Sequence, residues 1–567
     1  MLATLAIACA FTMPGAAQTR ATVTADDYAR AEKFLNYNTG PLVANGPVRA
    51  NWLPGDRFWY RNQGAAAEFF LVDAVKGTKA PAFNHAAVAT ALTAAMGKPV
   101  TAARLPFQQI TFAADSASFS FDADGKRWTC DVQGTRCWSA DRPATVPNSE
   151  LSPDGTYAAY IKDWNLFVRD LTTGRDIQLT TDGVKDYGYA TDNAGWISSE
   201  RPVVKWSPDS KKLATFQQDQ RESGDMYLVN TVAGHPTLRA WKYPLPGDEN
   251  VTMIERVIID IDPVKVTHLK MGQDQHRSTL CDDVKCGGDW VDVQWNPDGS
   301  QIAFVSTSRN HQQENLRIAD AGTGAIREVL EEKAETFLES GNGRVNWRYL
   351  PDSNEAIWYS QKDNWGQLYL HDAQTGRQKS QLTSGDGNVT QLLKIDEAAR
   401  PLFYMGVGKE AGRDPYFRHF YRQTMDGKPA QLLTPEDADH DVSLSPSGKY
   451  FVDNFSKPDV PTTSVLRDAT GKTILQLEKM DISRLLATGW KPPMPITVKD
   501  RGGAGLLYGL LFRPTNFDPS KKYPIVNNIY PGPQTGSVGS RQFSASRGDT
   551  QAIAELGFIV VQIDGMG

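Results

Sequence analysis

The chain has 567 residues, of which 40% are apolar, 10% aromatic and 22% charged, a mixture that excludes a disordered or fibrous chain. Its formal net charge of −6 gives no electrostatic basis for binding nucleic acid. No run of about 18 apolar residues follows the N-terminal segment, so we expect no membrane-spanning helix after it.

The first residues have the pattern of a secretory signal. An apolar run over residues 2–13 is followed by small residues that end at Ala17, which predicts a signal peptide over residues 1–17. A buried N-terminal strand is the alternative, and a lipoprotein signal at Cys9 fits the pattern less well.

A helical segment is expected next. Tyr28, Ala31 and Phe34 recur at helical spacing after Thr24, a residue type that caps helix N-termini. The pattern predicts a helix over residues 26–37, within an N-terminal helical segment of residues 18–50.

Four cysteines remain after the signal, in two close pairs. Cys130 and Cys137 bracket one turn-like segment, and Cys281 and Cys286 bracket another. An even number in local pairs is typical of disulfides formed in an oxidising compartment. We therefore expect two hairpin disulfides and a periplasmic or secreted protein. Zinc binding would need closer cysteine spacing or nearby histidines, so the pattern does not favour it.

A turn motif recurs through the middle of the chain. A proline occupies its second position and small or acidic residues follow, at residues 152–155, 207–210, 296–299, 350–353 and 445–448. Proline presets φ at this position, and Asp and Gly tolerate the corner. The spacing corresponds to steps of roughly 49 residues, and a period of about 40–50 residues with several strands per unit is typical of propeller blades.

The same order of strands follows the turns. β-branched and aromatic runs at residues 157–161 and 165–170 precede a Thr-Gly turn, and this order returns over residues 301–324 and 356–383. Extending the step backward to about residue 55 leaves room for seven or eight blades, with eight favoured. We expect an all-β propeller over residues 51–488.

The pattern changes near the C-terminus. Residues 506–513 predict a strand, and the continuous apolar run at 524–530 predicts a buried one. A helix over residues 549–556 and another apolar strand over 558–564 are expected next. A strand, a helix and a parallel buried strand open an α/β sheet, so residues 489–567 are expected to form the first part of such a domain.

This organisation resembles the prolyl oligopeptidase family, in particular its dipeptidyl peptidase IV-like branch. The similar stretches include residues 241–247 and 363–370 in the propeller region, and residues 530–534 and 562–567 near the end of the chain. The resemblance covers nearly everything after residue 25. It implies a propeller followed by an α/β-hydrolase domain with serine peptidase activity.

The family's nucleophile lies on a Gly-x-Ser-x-Gly turn and is followed by an aspartate and a histidine. No serine of this chain has glycine two residues away on both sides, and the last of the eight histidines is His440. We therefore expect the chain to end before the catalytic residues, with a truncated hydrolase domain and no activity of its own. A non-catalytic homologue is the alternative.

Tyr530 is the one catalytic contributor that the resemblance places within the chain. In the family, a tyrosine after the first buried hydrolase strand donates its hydroxyl to the oxyanion, and Tyr530 occupies that position. Such a donor stabilises the charge that develops in the transition state. The alternative is a packed tyrosine at a strand end.

Glu200 is the candidate for substrate binding. Dipeptide-releasing members present a pair of glutamates, after a tryptophan, that bind the free amino group of the substrate. Glu200 matches one of these positions, whereas Ser199 replaces its neighbour. A single carboxylate can still bind an ammonium group. Alternatively, Glu200 forms an ion pair with Arg201 or another propeller residue.

The leading prediction is an exported serine peptidase, of dipeptidyl peptidase or aminopeptidase type, whose propeller restricts access to short peptides. An endo-acting oligopeptidase or an acylaminoacyl peptidase is the alternative, and a non-catalytic propeller binding protein is the alternative from another class. No phosphate loop, HExxH motif or EF-hand spacing occurs, so neither a cofactor nor a metal is expected. Peptide substrates are the expected partners, and a homodimer remains open.

Overall fold

The computed structural model describes residues 22–64, 67–141, 146–193, 199–276, 285–286, 289–338, 344–503, 505–530 and 536–564. The expected signal peptide lies outside these residues. The chain divides into two compact units. The large unit consists of residues 47–455 and 463–478, and the small unit consists of residues 1–46, 456–462 and 479–567.

Eight antiparallel sheets follow one another along the described part of the chain. Seven have four strands, and sheet 4 has six. The strands of sheets 1 to 4 are, in turn, Asn51–Leu53, Arg57–Gln63, Ala67–Asp73 and Thr78–Pro81; Thr111–Phe112, Ser118–Ala123, Lys126–Asp131 and Cys137–Asp141; Glu150–Leu151, Tyr157–Lys162, Asn165–Asp170 and Asp176–Gln178; Tyr187–Tyr189, Lys205–Trp206, Lys212–Asp219, Met253–Ile261, Val264–His268 and Asp274–Gln275.

Sheets 5 to 8 repeat the four-stranded arrangement. Their strands are, in turn, Val293–Trp295, Gln301–Thr307, Gln313–Asp320 and Ile326–Lys333; Arg348–Leu350, Glu355–Ser360, Gln367–Asp372 and Gln378–Gln381; Asn388–Ile395, Pro401–Val407, His419–Thr424 and Gln431–Leu432; Asp439–Leu444, Tyr450–Lys457, Val460–Asp468 and Thr473–Lys479.

The recurring turn motif connects two paired strands in each sheet that contains it. In sheet 3, the N–H of Gly155 donates to the carbonyl oxygen of Ser152 at 2.9 Å, and the Ser152 hydroxyl accepts from the N–H of Tyr157 at 2.9 Å. Gly155 has a φ of +72°, in the left-handed region that the corner requires. The first and fourth residues of the motif therefore close the hairpin.

Buried apolar clusters join successive sheets. Among the described residues, such clusters connect sheets 1 and 2, sheets 3 and 4, and every successive pair from sheet 4 to sheet 8. Another joins the last sheet to the first, where Val452 and Leu466 of sheet 8 pack with Phe58 and Val72 of sheet 1. The last sheet thus packs against the first, as a propeller requires.

The closure between sheets 8 and 1 also contains polar contacts. The Tyr60 hydroxyl donates to Glu478 Oε1 at 2.6 Å, and Lys79 Nζ donates to the same oxygen at 2.7 Å. Burial and the neighbouring Glu478 carboxylate both raise the pKa of Tyr60. The phenol therefore stays protonated, and a charge-assisted hydrogen bond links sheets that are about 400 residues apart in the chain.

A helix that the sequence analysis did not predict lies between sheets 1 and 2. It spans His85–Met96, begins after Asn84, whose side chain accepts from the N–H of Ala87, and ends at Gly97 with a φ of +67°. Its buried residues Val88 and Leu92 pack into the aromatic cluster that joins these two sheets. The helix is therefore part of the propeller core.

Two two-stranded sheets interrupt the regular order. One pairs Asp225–Asn230 with Thr237–Lys242, within the chain segment that forms sheet 4, and we call it the ribbon. The other pairs Lys285–Cys286 with Asp289–Trp290.

A disulfide joins Cys130 to Cys137, which lie opposite each other in neighbouring strands of sheet 2. In the second expected pair, Cys281 and the side chain of Cys286 lie outside the described residues.

The small unit contains a mixed sheet. Its strand order is Met494–Lys499, Leu506–Phe512, Ile559–Ile563 and Ile525–Asn527. The last two strands are parallel and the other neighbours antiparallel. Helix Thr550–Glu555 precedes strand Ile559–Ile563, so the expected strand, helix and parallel strand are present.

One expectation for this sheet is wrong. The apolar run at 524–530 was expected to be a buried strand, but only Ile525–Asn527 forms a strand, and the Ile525 side chain is 68% exposed. Within the described residues the strand pairs only with Ile559–Ile563. It is an edge strand there, and its apolar side chains are not covered.

The N-terminal helix is shorter than expected. It spans Ala25–Glu32 and begins with a capping box between Thr24 and Asp27. Leu35 is extended and separates it from the short helix Asn36–Thr39, which is followed by the 3₁₀ turn Gly40–Leu42. Another short helix, Ser483–Leu486, contributes its buried Leu485 to the same core as Phe34. In the part of the chain that the structure describes, no helix is long and apolar enough to cross a membrane.

Candidate functional site

Tyr530 follows the edge strand of the small unit. Strands Ile525–Asn527 and Ile559–Ile563 are parallel, so their carboxyl ends meet at the same side of the sheet. Tyr530 follows one of these ends and Asp564 the other. Open α/β sheets bind their ligands at this side. Tyr530 is 65% exposed and lies at this side of the sheet.

The backbone of Tyr530 is held by the segment that begins at Gly536. The N–H of Tyr530 donates to Ser537 Oγ at 3.0 Å. The next residue, Val538, donates its N–H to Asp564 Oδ1 at 2.9 Å, and Arg541 Nη2 donates to Asp564 Oδ2 at 2.7 Å. Both charged groups are almost completely buried, so the Asp564–Arg541 pair fixes Ser537 next to Tyr530.

Gly536 makes this arrangement possible. A Cβ atom at this position would lie 2.7 Å from Asp564 Oδ1, well inside van der Waals contact. Any other residue would displace the carboxylate that holds Val538. The sequence also predicts that Pro531 and Pro533 stiffen the loop after Tyr530 and that Gly532 lets it turn sharply; these three residues lie outside the described residues.

Glu200 lies on the surface of the large unit. Its Oε2 accepts from Asn148 Nδ2 at 2.7 Å. The neighbouring Arg201 does not pair with it: Arg201 Nε and Nη2 bind the Glu150 carboxylate at 2.9 and 3.0 Å. The alternative in which Arg201 neutralises Glu200 is therefore wrong, because Arg201 is held by another carboxylate. The tryptophan that precedes Glu200 in the motif, Trp196, lies outside the described residues.

The described residues contain one group of metal-ligating side chains, Glu436, His440 and Asp453. Arg467 donates to the Asp453 carboxylate at 2.9 Å and to the Glu436 carboxylate at 2.7 Å. The ring nitrogens of His440 face Asp453 Oδ1 at 2.8 Å and the carbonyl oxygen of Glu436 at 3.1 Å. A fixed guanidinium beside both carboxylates opposes a metal cation, so the group is an ion-pair network that holds the loop between sheets 7 and 8 against sheet 8.

Comparison with known proteins identifies the family. Residues 110–462 match the family model of the dipeptidyl peptidase IV (DPP IV) N-terminal region, which is more than half of the chain. The chain belongs to the DPP IV family. This confirms the resemblance seen in the sequence, and the succession of antiparallel sheets agrees with the N-terminal propeller that the resemblance implies.

The DPP IV-family chain is similar to curated fungal proteins. It is 26% identical over 484 residues to "Probable dipeptidyl-aminopeptidase B" of Ajellomyces dermatitidis, covering 78% of this chain and 50% of that protein. The protein of the same name from Neosartorya fischeri is 24% identical over 482 residues, with the same coverage. The chain thus spans about half the length of the curated relatives it matches.

A solved structure supports the fold of this DPP IV-family chain. The crystal structure of Porphyromonas gingivalis dipeptidyl peptidase 4 has a TM-score of 0.66 and 18% sequence identity, over 94% of this chain and 73% of that one. At this identity the likeness shows the fold alone.

Sequence reasoning predicted roles for Tyr530 and Glu200 but did not predict the residues that contact them. Asn148 is 52 residues from Glu200, and Asp564 is 26 residues from Val538. Neither pair has a periodic signal, because each contact depends on how separate strands are placed.

Proposed function

We propose that the chain is part of a serine-type dipeptidyl peptidase. The match of residues 110–462 to the DPP IV N-terminal region carries this proposal, since curated relatives of similar sequence are named dipeptidyl-aminopeptidases. The position of Tyr530 at the carboxyl side of the mixed sheet supports it. The nucleophile, its base and its orienting acid would come from residues beyond 567, and the eight sheets would be the eight blades of the propeller.

The test compares the 567-residue chain with the protein translated through the downstream reading frame. We expect the longer protein to release dipeptides from H-Xaa-Yaa-4-nitroanilides, to react with a fluorophosphonate, and to lose activity after that reaction. We expect the 567-residue chain neither to release dipeptides nor to react with the fluorophosphonate. Turnover by this chain alone, blocked by the fluorophosphonate, would contradict the assignment of the catalytic residues.

Glu200 is proposed to bind the free amino terminus of the substrate. Its exposed carboxylate has no cationic partner among the described residues, so its charge is available for an ammonium group. Glu200→Gln should raise KM at least tenfold for substrates with a free amine, with little change in kcat, and acetylation of the amine should abolish cleavage. Retained cleavage of N-acetylated peptides would favour the endo-acting or acylaminoacyl peptidase alternative.

Export to the periplasm or medium is also proposed. The N-terminal apolar segment and the Cys130–Cys137 disulfide both support it, since disulfides persist in oxidising compartments. Protein purified from the native host should begin at Gln18. An intact N-terminus together with free thiols would contradict export.

The propeller is proposed to exclude large substrates from the peptidase site. The packing of sheet 8 against sheet 1 supports this, because blades closed around a central channel would limit the size of the molecules that pass through it. The full-length enzyme should cleave tripeptides and pentapeptides but leave native casein intact. Rapid casein digestion would contradict such restriction.

A homodimer that uses the ribbon is proposed as the assembly. A two-stranded sheet is marginally stable in isolation, and this one presents Tyr227 and Leu238 with 63% and 64% of their surface exposed. A second copy would cover these side chains. We expect Tyr227→Glu with Leu238→Glu to shift the mass measured by light scattering from two chains to one. An unchanged mass would exclude the ribbon as the interface.

A further inference from the structure

Glu200 and Arg201 are held by two separate contacts from one short segment. Asn148 Nδ2 donates to Glu200 at 2.7 Å, and Glu150 binds Arg201 through both carboxylate oxygens. Glu150 belongs to the first strand of sheet 3. The segment that carries Glu200 is therefore fixed to the beginning of sheet 3.

The backbone of Asn148 has a conformation that few residue types adopt. Its φ is +51°, in the left-handed region where asparagine is several-fold enriched over other non-glycine residues. Asn148 itself is exposed. Its side-chain amide therefore contributes little to the core, and its hydrogen bond in the described part of the molecule goes to Glu200.

The contact between Asn148 and Glu200 uses only some of the polar atoms of the two side chains. The Asn148 donor occupies Glu200 Oε2, and no described donor binds Oε1 of this exposed residue. No described donor binds Asn148 Oδ1, which leaves a second, neutral acceptor beside the carboxylate. An ammonium group has three N–H donors and is best bound by several acceptors.

We propose that Asn148 determines specificity for the amino terminus of the substrate, by fixing the Glu200 carboxylate and by offering Oδ1 as an additional acceptor. The inference rests on the proposed role of Glu200. It assigns to Asn148 a contribution that a second carboxylate would make if Ser199 were acidic. The ligand is thus a peptide with a free ammonium terminus, bound by one carboxylate and one amide oxygen.

The test is Asn148→Gly in the full-length enzyme, because glycine keeps the left-handed backbone and removes only the amide. KM for a free-amine dipeptide substrate should rise about 3- to 10-fold, with kcat nearly unchanged. Asn354→Gly is the matched control: Asn354 also has a φ of +51° but lies in a turn of sheet 6. That variant should keep the KM of the wild type.

A double variant separates this inference from the proposal on which it rests. If Asn148 acted only by fixing Glu200, Asn148→Gly would add nothing to the effect of Glu200→Gln; a smaller but measurable added effect is expected, because Oδ1 also binds the ammonium group directly. A KM raised by Glu200→Gln but unchanged by Asn148→Gly would overturn the role of Asn148 alone. A KM unchanged by Glu200→Gln would overturn the role of Glu200 and with it that of Asn148. Equal thermal stability of the two glycine variants would exclude unfolding as the cause.

Discussion

The Tyr530 hydroxyl has no hydrogen-bond partner among the described residues, although the backbone of the same residue is held at Ser537 Oγ. An anchored backbone with an accessible hydroxyl suits a group that donates only when charge develops on a substrate. Such donors act mainly in the transition state.

In the full-length enzyme, Tyr530→Phe should lower kcat about 10²- to 10³-fold with little change in KM, because it removes one oxyanion donor. Steady-state kinetics with a dipeptidyl nitroanilide measure this. Tyr523→Phe, a change of the same kind in the same segment, should leave kcat nearly unaltered. A near-normal kcat for Tyr530→Phe would make the tyrosine structural.

Ser537→Ala removes the contact to the Tyr530 backbone without unpacking the core, since Ser537 is only partly buried. We expect kcat to fall about 2- to 10-fold, the equivalent of one ordinary hydrogen bond. Ser540→Ala, an exposed serine of the same segment, is the control. The loss should disappear when Tyr530→Phe is already present, and an additive loss would show that Ser537 does not act through Tyr530.

At the level of single elements, the sequence predicts the features that depend on neighbouring residues in the chain, such as turns and the strands that flank them. The strands of sheets 3, 5 and 6 lie close to their expected positions because a turn with a fixed φ, such as that at Gly155, separates runs of β-branched and aromatic residues. The helix His85–Met96 was missed because it is rich in alanine and has only a weak amphipathic pattern. The exposure of Ile525 was missed because burial depends on neighbouring strands, which an apolar run does not specify.

The Cys130–Cys137 disulfide is an element-scale feature that can be tested directly. Cys130→Ala with Cys137→Ala should lower the free energy of unfolding of the large unit by about 2–3 kcal/mol, because the link closes a short loop in the unfolded chain. Urea denaturation with and without reductant measures this. Reductant should destabilise the wild type but not the double variant, and insensitivity of both would show that the link does not stabilise the unit.

Over the molecule as a whole, two buried histidines have strongly lowered pKa values. Burial lowers the pKa of His276 to about 4, with the nearby arginines Arg309 and Arg256 acting in the same direction. The pKa of His419 is also lowered to about 4, mainly by burial and further by the neighbouring His440 and Arg413. In each case the unfolded state takes up a proton near pH 6.5, whereas the folded state does not until about pH 4. The stability that these groups confer is complete above pH 6.5 and declines as the pH falls toward 4.

We therefore expect the protein to lose stability between pH 7 and pH 5. His276→Phe should reduce this loss by about 2 kcal/mol, because phenylalanine does not titrate and the ring nitrogens of His276 have no hydrogen-bond partner among the described residues. Urea denaturation of both proteins at the two pH values measures the difference. Parallel pH profiles would mean that His276 titrates normally in the folded state.

The packing of sheet 8 against sheet 1 has a consequence for the order of events during synthesis. Until Leu466 and Glu478 have been made, the apolar side chains of sheet 1, among them Phe58 and Val72, have no covering surface on that side. More than 400 residues must therefore be synthesised before sheet 8 can cover this side of the first sheet. Contacts of such long sequence separation form slowly, and an unfinished ring exposes surfaces at which chains aggregate. We therefore expect nascent chains of this protein that stop before residue 466 to aggregate more readily than the complete chain.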